Sequence, residues 1–336
     1  MTTVYLLSEK TTAKKEHGRM CLESADGKRR GVPMGDVDCV VVGRRAHITM
    51  PLVFALLEQG TPLSFVNGKG ELVASMGGDA MSAERFRGQC EKFDDDFICL
   101  NLAVDILCEK IRRQHRLIKS YAKRKKSDAL EEIAKDLASF RDCAWEMEDV
   151  NPLRGCEGMA ARRYFQAFTE ILDQNLWPWE KRSRRPAHDP VNALLNLAYA
   201  FLEREVRIAI VGARLDPRIG FLHANNGRKD SLVYDLMELF RATVADRFVL
   251  RMLNYGALSP EDFTHDEEQG CRLTEKAFPV WCAAHEDYMT KPVKDYEGNS
   301  PREKIRKEVR EFAEHLFKQP IPSFPEEGRE EGEGSS

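Results

Sequence analysis

The sequence predicts an α+β protein in which a small N-terminal β-sandwich-like domain precedes a larger all-α domain. Residues 1–75 contain short β-branched segments separated by Gly, Pro or Asp, which is typical of strands. From about residue 82 to 317, apolar residues recur at helical spacing. The 336 residues, 42% hydrophobic and 32% charged, are enough for two buried cores. We predict domains at 1–78 and 85–320, a linker at 79–84 and a disordered acidic tail at 321–336.

In the N-terminal region, six segments are predicted to be strands: VYLL, CLES, VDCVVVG, HITM, PLSFV and ELVAS. A short helix is predicted over residues 51–58, where a proline precedes an apolar run. The Gly-Gly-Asp run at 77–79 interrupts the pattern and marks the linker.

One long helix is predicted over residues 93–125, and its C-terminal half is strongly basic. Nine cations fall between residues 110 and 126. They fit a solvated helix end whose cations match the helix dipole. They equally fit a strip that binds backbone phosphates of a nucleic acid.

Composition limits the compartment and the partners. The N-terminus lacks the basic flank and apolar core of a signal peptide. The sequence also contains no run of about 18 apolar residues, so no membrane span is predicted. Nine cysteines without a C-x-x-C pair disfavour a disulfide framework and a zinc knuckle, so a cytoplasmic location without membrane contact is expected. The net charge of −4 resides in the last eleven residues, so a local basic surface remains possible.

The stretch from 220 to 241 combines a histidine with two acids. His223 lies in a predicted turn, and Asp235 and Glu238 lie on the helix that follows. Their spacing of three predicts one shared face, away from the apolar stripe. Two adjacent acids repel unless a cation or proton lies between them, and an imidazole would complete a divalent-metal site. Taken alone, however, such a histidine is usually a packed turn residue, and such acids usually lie on a solvated face.

Two upstream motifs add polar residues. In residues 151–168, Glu157 lies between two glycines ahead of a predicted helix. It is either a helix cap or a ligand with space around it for a metal, and Arg162 and Arg163 could face a phosphate. In residues 180–205, a basic run precedes a helix that begins at Asp189-Pro190, and His188 in the loop is expected to be solvated.

Four motifs in order carry a family resemblance. They are R-G-x-E-G-x-A-A-R-x-Y-F, D-P-V-N-A-L-L, L-D-P-x-I-G-F-L-H and S-L-V-Y-D-L-M-E-L-F-R. Together they resemble the CRISPR-associated integrase family, the catalytic subunit of the spacer-acquisition complex. The resemblance is strongest over residues 151–241 and extends more loosely over the chain, because that family also pairs a β domain with a helical domain.

The resemblance implies a metal-dependent active site. The family's metal ligands fall on Glu157, His223 and Glu238, and Asp235 is an additional catalytic acid in the same pocket. This chain has Glu at position 238, where the family's helix motif has either Asp or Glu. The Glu side chain is the longer of the two. Oxygen ligands without a thiol favour Mg²⁺ or Mn²⁺ over Zn²⁺.

The implied activity is insertion of new spacer DNA into the repeat array by attack of a 3′-hydroxyl on a phosphodiester, with endonuclease activity as its reverse or hydrolytic form. Implied partners are double-stranded protospacer and repeat DNA, a second copy of the chain, and a small ferredoxin-like adaptation subunit. The alternatives are a general structure-selective DNA nuclease and a non-catalytic DNA-binding scaffold. The candidate DNA-contacting residues are Arg112, Arg113, Arg116, Arg162, Arg163, Arg184 and Arg185.

Overall fold

Strands dominate the N-terminal part of the chain. The computed structural model describes residues 2–7, 11–24, 27–67, 72–77, 83–183, 186–223, 230–266 and 270–318. The first elements in chain order are β1 (Thr2–Leu6), β2 (Thr12–Glu16), β3 (Arg19–Glu23), β4 (Arg29–Pro33), β5 (Val37–Gly43), β6 (His47–Ile48), α1 (Met50–Glu58), β7 (Leu63–Val66) and β8 (Leu72–Met76).

These strands form two sheets that enclose one apolar core. The first has the order β1-β5-β7-β8, with β1, β5 and β7 parallel and β8 antiparallel. The second has the order β4-β3-β2-β6. Val40 and Leu63 of the first sheet, Met20 of the second and Leu56 of α1 are buried in the same cluster. The predicted sandwich-like domain is therefore confirmed.

Two strands, β2 and β4, were not predicted. Their sequences, TAKKE and RRGVP, lack apolar alternation, which is the main sequence signal of a half-buried strand. They pair antiparallel with the two edges of β3. Only Ala13 of β2 is buried, so strand pairing decided a conformation that local composition did not favour.

The larger part of the chain is predominantly helical. Its elements are α2 (Ala83–Phe93), α3 (Asp96–Lys125), α4 (Asp128–Trp145), α5 (Val150–Ile171), α6 (Pro190–Gly212), α7 (Ser231–Phe240), a π-helical turn (Arg241–Asp246), α8 (Arg247–Asn254), β9 (Phe263–Asp266), β10 (Gly270–Leu273), α9 (Ala277–Thr290) and α10 (Pro301–Lys318). None of the described helices has both the length and the apolar character needed to cross a bilayer.

The helix predicted over residues 93–125 is broken near its start. α2 ends at Phe93 and α3 begins at Asp96. The Asp95 side chain accepts a hydrogen bond from the backbone N–H of Ile98 at 2.9 Å and so caps α3. Aspartate competes with helix continuation in this way, which explains the break within the Asp-Asp-Asp run.

A β-hairpin within the helical domain is a second difference from the prediction. β9 and β10 pair antiparallel. The N–H of Cys271 donates to the carbonyl of Ala187 at 2.8 Å, which ties the hairpin to the loop before α6. The domain is therefore mainly helical but not all-α, because four-residue strands are too short to be separated from helix by periodicity.

Helix α3 lies at the centre of the helical domain. Leu107 and Ile111 of α3, Phe168 of α5 and Leu236 and Phe240 of α7 belong to one continuous buried cluster. Each such side chain contributes roughly 1.5–3 kcal/mol on burial. This packing brings α5 and α7 against the same stretch of α3, and it thereby positions the polar side chains of all three helices.

The predicted domain boundaries fall partly outside the described residues. Of the linker at 79–84 the structure describes only residues 83 and 84, and it describes none of the tail at 321–336. α2 already belongs with the helical domain. The Gln89 amide donates to the carbonyls of Asp216 and Ile219 at 3.0 Å, and Arg85 donates to the carbonyl of Ala213 at 2.7 Å.

A buried ion network joins the two domains. Arg302 of α10 contacts Glu205 of α6 at 2.9 Å and Glu286 of α9 at 2.8 Å. Glu286 also accepts the N–H of Thr3 in β1 at 3.3 Å. Burial alone would raise the pKa of Glu205, but the charge of Arg302 outweighs it and lowers that pKa. The network therefore holds a charged carboxylate in the interior next to the N-terminal sheet.

Replacing Arg302 with Met should destabilise the protein by about 3–5 kcal/mol, because it leaves Glu205 charged and buried without its partner. Urea unfolding followed by tryptophan fluorescence measures this change. The matched control is Lys307→Met on the same helix, whose 3.3 Å pair with Glu297 is exposed and should contribute less than about 1 kcal/mol. Equal losses in the two variants would contradict the assigned role of Arg302.

Candidate active site

Two acids from different helices converge on one lysine. Nζ of Lys110 in α3 lies 2.6 Å from Oε1 of Glu157 in α5 and 2.8 Å from Oε2 of Glu238 in α7. The side chains of Lys110 and Glu238 are 8% and 1% exposed, whereas that of Glu157 is 24% exposed. The carboxylates therefore share a cation at a nearly buried point, and Glu157 is the most exposed of the three side chains.

Glu238 is held in its charged form. Burial alone would raise the pKa of Glu238, but the charges of Arg241 and Lys110 outweigh it and lower that pKa to about 2. Arg241 lies 3.1 Å from Oε1. The Lys110 ammonium lies 2.8 Å from Oε2. Both oxygens of this buried carboxylate therefore face a positive charge.

Asp235 organises the loop that carries His223. Its oxygens accept the backbone N–H groups of Phe221, Leu222 and His223 at 2.6, 3.0 and 2.9 Å. Gly220 allows this close approach, because a Cβ there would lie 2.6 Å from Oδ2 of Asp235. The carboxylate is fully buried, so its hydrogen bonds fix the path of the chain into His223.

The same carboxylate orients the His223 ring. Nδ1 of His223 lies 2.7 Å from Oδ1 of Asp235. Because an ionised carboxylate only accepts hydrogen bonds, Nδ1 carries the proton and Nε2 carries the lone pair. The side chain of His223 is 39% exposed, and it lies within electrostatic range of Glu238. His223 therefore presents a basic nitrogen near the acids.

A buried polar layer supports Arg241 from behind. The Arg241 guanidinium lies 5.1 Å from the Tyr199 ring centroid, and the Tyr199 hydroxyl donates to Asp246 at 2.7 Å. Tyr164 donates to the other oxygen of Asp246, also at 2.7 Å. Burial raises the pKa of Asp246 to about 6, although both hydroxyls lower it. The π-helical turn between α7 and α8 brings Arg241 and Asp246 to the same layer, and such turns are frequent at functional sites.

The structure corrects the predicted surroundings of three acids. Asp235 and Glu238 do not lie on a solvated face away from the apolar stripe, since both are buried. Helix α7 packs against both α3 and α6, which leaves it no polar face. Glu157 does not precede a helix but lies within α5, which begins at Val150 after the capping residue Asp149.

The geometry of the described residues does not decide whether Glu157, His223 and Glu238 bind one metal ion. It joins Glu157 to Glu238 through Lys110, and His223 to Asp235. Within the described ranges, no three His, Cys, Asp or Glu side chains are arranged to hold a metal. Coordination by Glu157, His223 and Glu238 therefore stays a prediction, and so does a catalytic role for Asp235. Cys156, next to Glu157, is buried and donates to the carbonyl of Phe140 at 3.0 Å.

The predicted DNA-contacting arginines have different environments. Arg113 is buried and contacts Glu109 and Glu308 at 2.6 and 2.8 Å. This environment does not favour a DNA contact, and the contact stays a prediction. Arg112 pairs with Glu109, and Arg163 pairs with Asp136 at 2.6 Å. Arg116 and Arg162 are exposed, and residues 184 and 185 lie outside the described part of the chain.

The sequence predictions missed the roles of Lys110 and Arg241. Lys110 was grouped with the basic strip, yet it lies three residues after Leu107 and next to Ile111, on the buried stripe of α3. A cation on an apolar stripe signals a buried acid nearby, because lone buried charges are costly. Arg241 gave a weaker signal, three residues after Glu238 on the same helix.

Two sequence comparisons identify relatives. The family described as "CRISPR associated protein Cas1" matches residues 4–287. The chain is 31% identical over 293 residues to CRISPR-associated endonuclease Cas1 3 of Thermus thermophilus, covering 86% of this chain and 85% of the relative. It is 30% identical over 284 residues to CRISPR-associated endonuclease Cas1 1 of Moorella thermoacetica, covering 82% and 83%.

Solved structures share the fold. A Cas1 protein from Thermotoga maritima superposes with a TM-score of 0.80 at 26% identity, covering 94% of this chain and 97% of that one. A casposase bound to integration product gives 0.79 at 21% identity, covering 94% and 90%. A chain of a Cas6-RT-Cas1–Cas2 complex gives 0.78 at 21%, covering 96% of this chain and 35% of that one. The last two show the fold alone, but the match over 284 of 336 residues and the endonuclease relatives establish that the chain belongs to the CRISPR-associated Cas1 family.

Proposed function

We propose that this protein is a metal-dependent DNA integrase and endonuclease of CRISPR adaptation, which inserts spacer DNA into a repeat array. The observation that carries the proposal is the convergence of Glu157 and Glu238 on one cation. A pair of acids held together by a positive charge is suited to bind a divalent ion. The endonuclease names of the relatives support the same class of reaction.

Glu157, Glu238 and His223 would hold the ion. They offer carboxylate oxygens and one imidazole nitrogen and no thiol, a donor set that suits Mg²⁺ or Mn²⁺. The Oε2 atom of Glu238 fits this role, because it already faces the Lys110 ammonium and a divalent ion would supply positive charge at the same point. When bound, such an ion polarises a phosphodiester and stabilises charge on the attacking or leaving oxygen.

The protein side chains orient the reacting groups. The proposed reaction is a transesterification in which a DNA 3′-hydroxyl oxygen attacks phosphorus and the existing P–O3′ bond of the repeat strand breaks. Asp235 holds His223 with its Nε2 lone pair available, so His223 can bind a ligand or hold a proton at that atom. Arg241 keeps Glu238 ionised and adds positive charge next to the proposed metal-binding acids.

Two other functions compete with this proposal. A general structure-selective DNA nuclease would use the same acids without strand transfer. A non-catalytic DNA-binding scaffold would need neither the acids nor the imidazole. The partially exposed Glu157 carboxylate favours catalysis, because a purely structural ion pair needs no path to solvent.

The proposed partners follow from family membership. They are double-stranded protospacer and repeat DNA, a second copy of this chain, and a small ferredoxin-like adaptation subunit. The fold shared with a chain of a Cas1–Cas2 complex is compatible with the last of these. The free edges of the N-terminal sheets could pair across a homodimer.

Glu157→Gln should lower the rate of strand transfer roughly 100-fold or more, since loss of one metal-binding carboxylate removes several kcal/mol of transition-state stabilisation. The assay joins labelled DNA to a plasmid that carries a repeat array, with Mn²⁺ or with EDTA. Glu170→Gln, an exposed acid later on α5, is the matched control. If Glu157→Gln, His223→Ala and Glu238→Gln all retain full metal-dependent activity, only the scaffold function remains. Cleavage of DNA without joining would favour the general nuclease.

Lys110→Met should make the melting temperature more dependent on Mn²⁺. In EDTA the variant should lose about 3–5 kcal/mol, because two carboxylates then approach without the cation between them. Mn²⁺ should restore the stability and raise the melting temperature more than in the unmodified protein, where it competes with the ammonium. The control is Lys119→Met, an exposed site on α3. Identical Mn²⁺-induced shifts in both variants would rule out competition at Lys110.

A further inference from the structure

Asp246 is a buried carboxylate that is bound by hydroxyl groups from two helices. It is the last residue of the π-helical turn and is 1% exposed. The Tyr164 hydroxyl of α5 donates to Oδ2 and the Tyr199 hydroxyl of α6 donates to Oδ1, both at 2.7 Å. Burial of a carboxylate is costly, and neutral hydroxyls offset less of that cost than a cation in direct contact does. Packing alone would favour an apolar side chain here, so the acid points to a role in the nearby site.

The hydrogen bond from Tyr164 forms a second connection between α5 and the segment that contains Glu238 and Asp246. Tyr164 follows Glu157 by seven residues on α5, which is nearly two turns and roughly 10 Å along the axis. The two segments are therefore joined at two levels, once through Lys110 and once through Tyr164. Two contacts along a helix fix both its rotation and its translation, whereas one contact leaves it free to pivot.

The π-helical turn determines which way Asp246 faces. Asp246 follows Glu238 by eight residues. In an uninterrupted α-helix, a residue eight positions later lies about 80° further around the axis. A π-helical turn is closed by i to i+5 hydrogen bonds, so each residue advances by a smaller angle and this offset shrinks. The turn at Arg241–Asp246 therefore brings Asp246 back toward the side of the helix that carries Glu238.

Tyr199 connects the same carboxylate to Glu238. Its hydroxyl donates to Asp246, and its ring centroid lies 5.1 Å from the Arg241 guanidinium. Arg241 in turn lies 3.1 Å from Oε1 of Glu238. A second guanidinium, that of Arg182, lies 5.4 Å from the same ring. A ring that is held by its hydroxyl and by two cations has little freedom to move, so it fixes where Arg241 lies relative to Glu238.

We propose that Asp246 is a positioning residue for the acid site. Through Tyr164 it fixes α5 against the segment that carries Glu238. Through Tyr199 it holds Arg241 against the same acid. Asp246 contacts none of the reacting groups, and its effect on the reaction is exerted through these neighbours. This role rests on the proposed function only for the reaction that the acids carry out.

The first test is a double-mutant cycle in EDTA, measured by thermal unfolding. Asp246→Asn and Glu238→Gln together should lower the melting temperature by more than the sum of the two single losses, because Arg241 then has neither acid to neutralise it. The matched control pairs Glu238→Gln with Tyr296→Phe, which removes a hydroxyl that donates to the Thr243 carbonyl of the same π-helical turn at 2.6 Å. Losses in the control pair should be additive. Additive losses in the Asp246 pair would overturn the role, and this measurement requires neither metal nor DNA.

The second test separates positioning from stability. Tyr164→Phe together with Tyr199→Phe keeps both rings and removes both hydroxyls. The rate of strand transfer at saturating DNA should fall roughly tenfold or more, because small displacements of catalytic groups are costly. The Kd for a labelled repeat duplex, measured in EDTA by fluorescence anisotropy, should change by less than roughly twofold, since only the catalytic step is affected. Tyr296→Phe loses a comparable buried hydrogen bond and should keep the strand-transfer rate within roughly twofold.

The two tests distinguish a failure of this role from a failure of the proposed function. Equal rate losses in the double variant and in Tyr296→Phe would overturn the role, since the effect would then be a general loss of stability. Absence of strand transfer in the unmodified protein would instead contradict the proposed function, and the unfolding cycle would then decide the role of Asp246 by itself. Coupled losses in the Asp246 pair with additive losses in the control pair support the role in either case.

Discussion

The contact of the Lys110 ammonium with Glu157 and Glu238 is the interaction on which the site depends. Two carboxylates at an almost buried position repel each other, and unit charges about 4 Å apart interact by about 4 kcal/mol at an effective dielectric constant of about 20. A positive charge between them reverses the sign of that interaction. The three helices α3, α5 and α7 can therefore pack closely at the point where each contributes an ionised side chain. The same feature makes the point suitable for a divalent cation, whose charge and oxygen preference meet the same requirement.

The surrounding structure holds these charges by pairing them in layers. Arg241 lies between Glu238 and Tyr199, and Tyr199 donates in turn to Asp246. Asp235 uses its oxygens on the backbone and ring of the His223 loop. These ion pairs and hydrogen bonds offset the cost of burying the groups. The acids consequently keep a defined geometry.

The basic residues of α3 show how one helix serves two purposes. Lys110 and Arg113 face inward and neutralise acids, whereas Arg116 and the cations that follow it face solvent. Neither interpretation of the basic strip predicted that its first turns are buried and paired with acids, and phosphate binding by its exposed last turns stays a prediction. Helix α3 thus connects a buried charge centre to an exposed one.

The sequence by itself determined the order of the domains and most of the apolar strands and helices, because periodicity is a local property of a chain. Its ordered motifs also singled out the candidate site residues Glu157, His223, Asp235 and Glu238. It did not determine β2, β4 or the β9–β10 hairpin, since these short strands lack a clear apolar alternation and form by pairing with the strand next to them in sequence. Only the tertiary structure decided that Asp235 and Glu238 are buried and that Lys110 lies between two acids. The physical reason is that burial and charge pairing arise when helices far apart in sequence pack together, and the spacing of residues along one helix does not encode which helix will cover it.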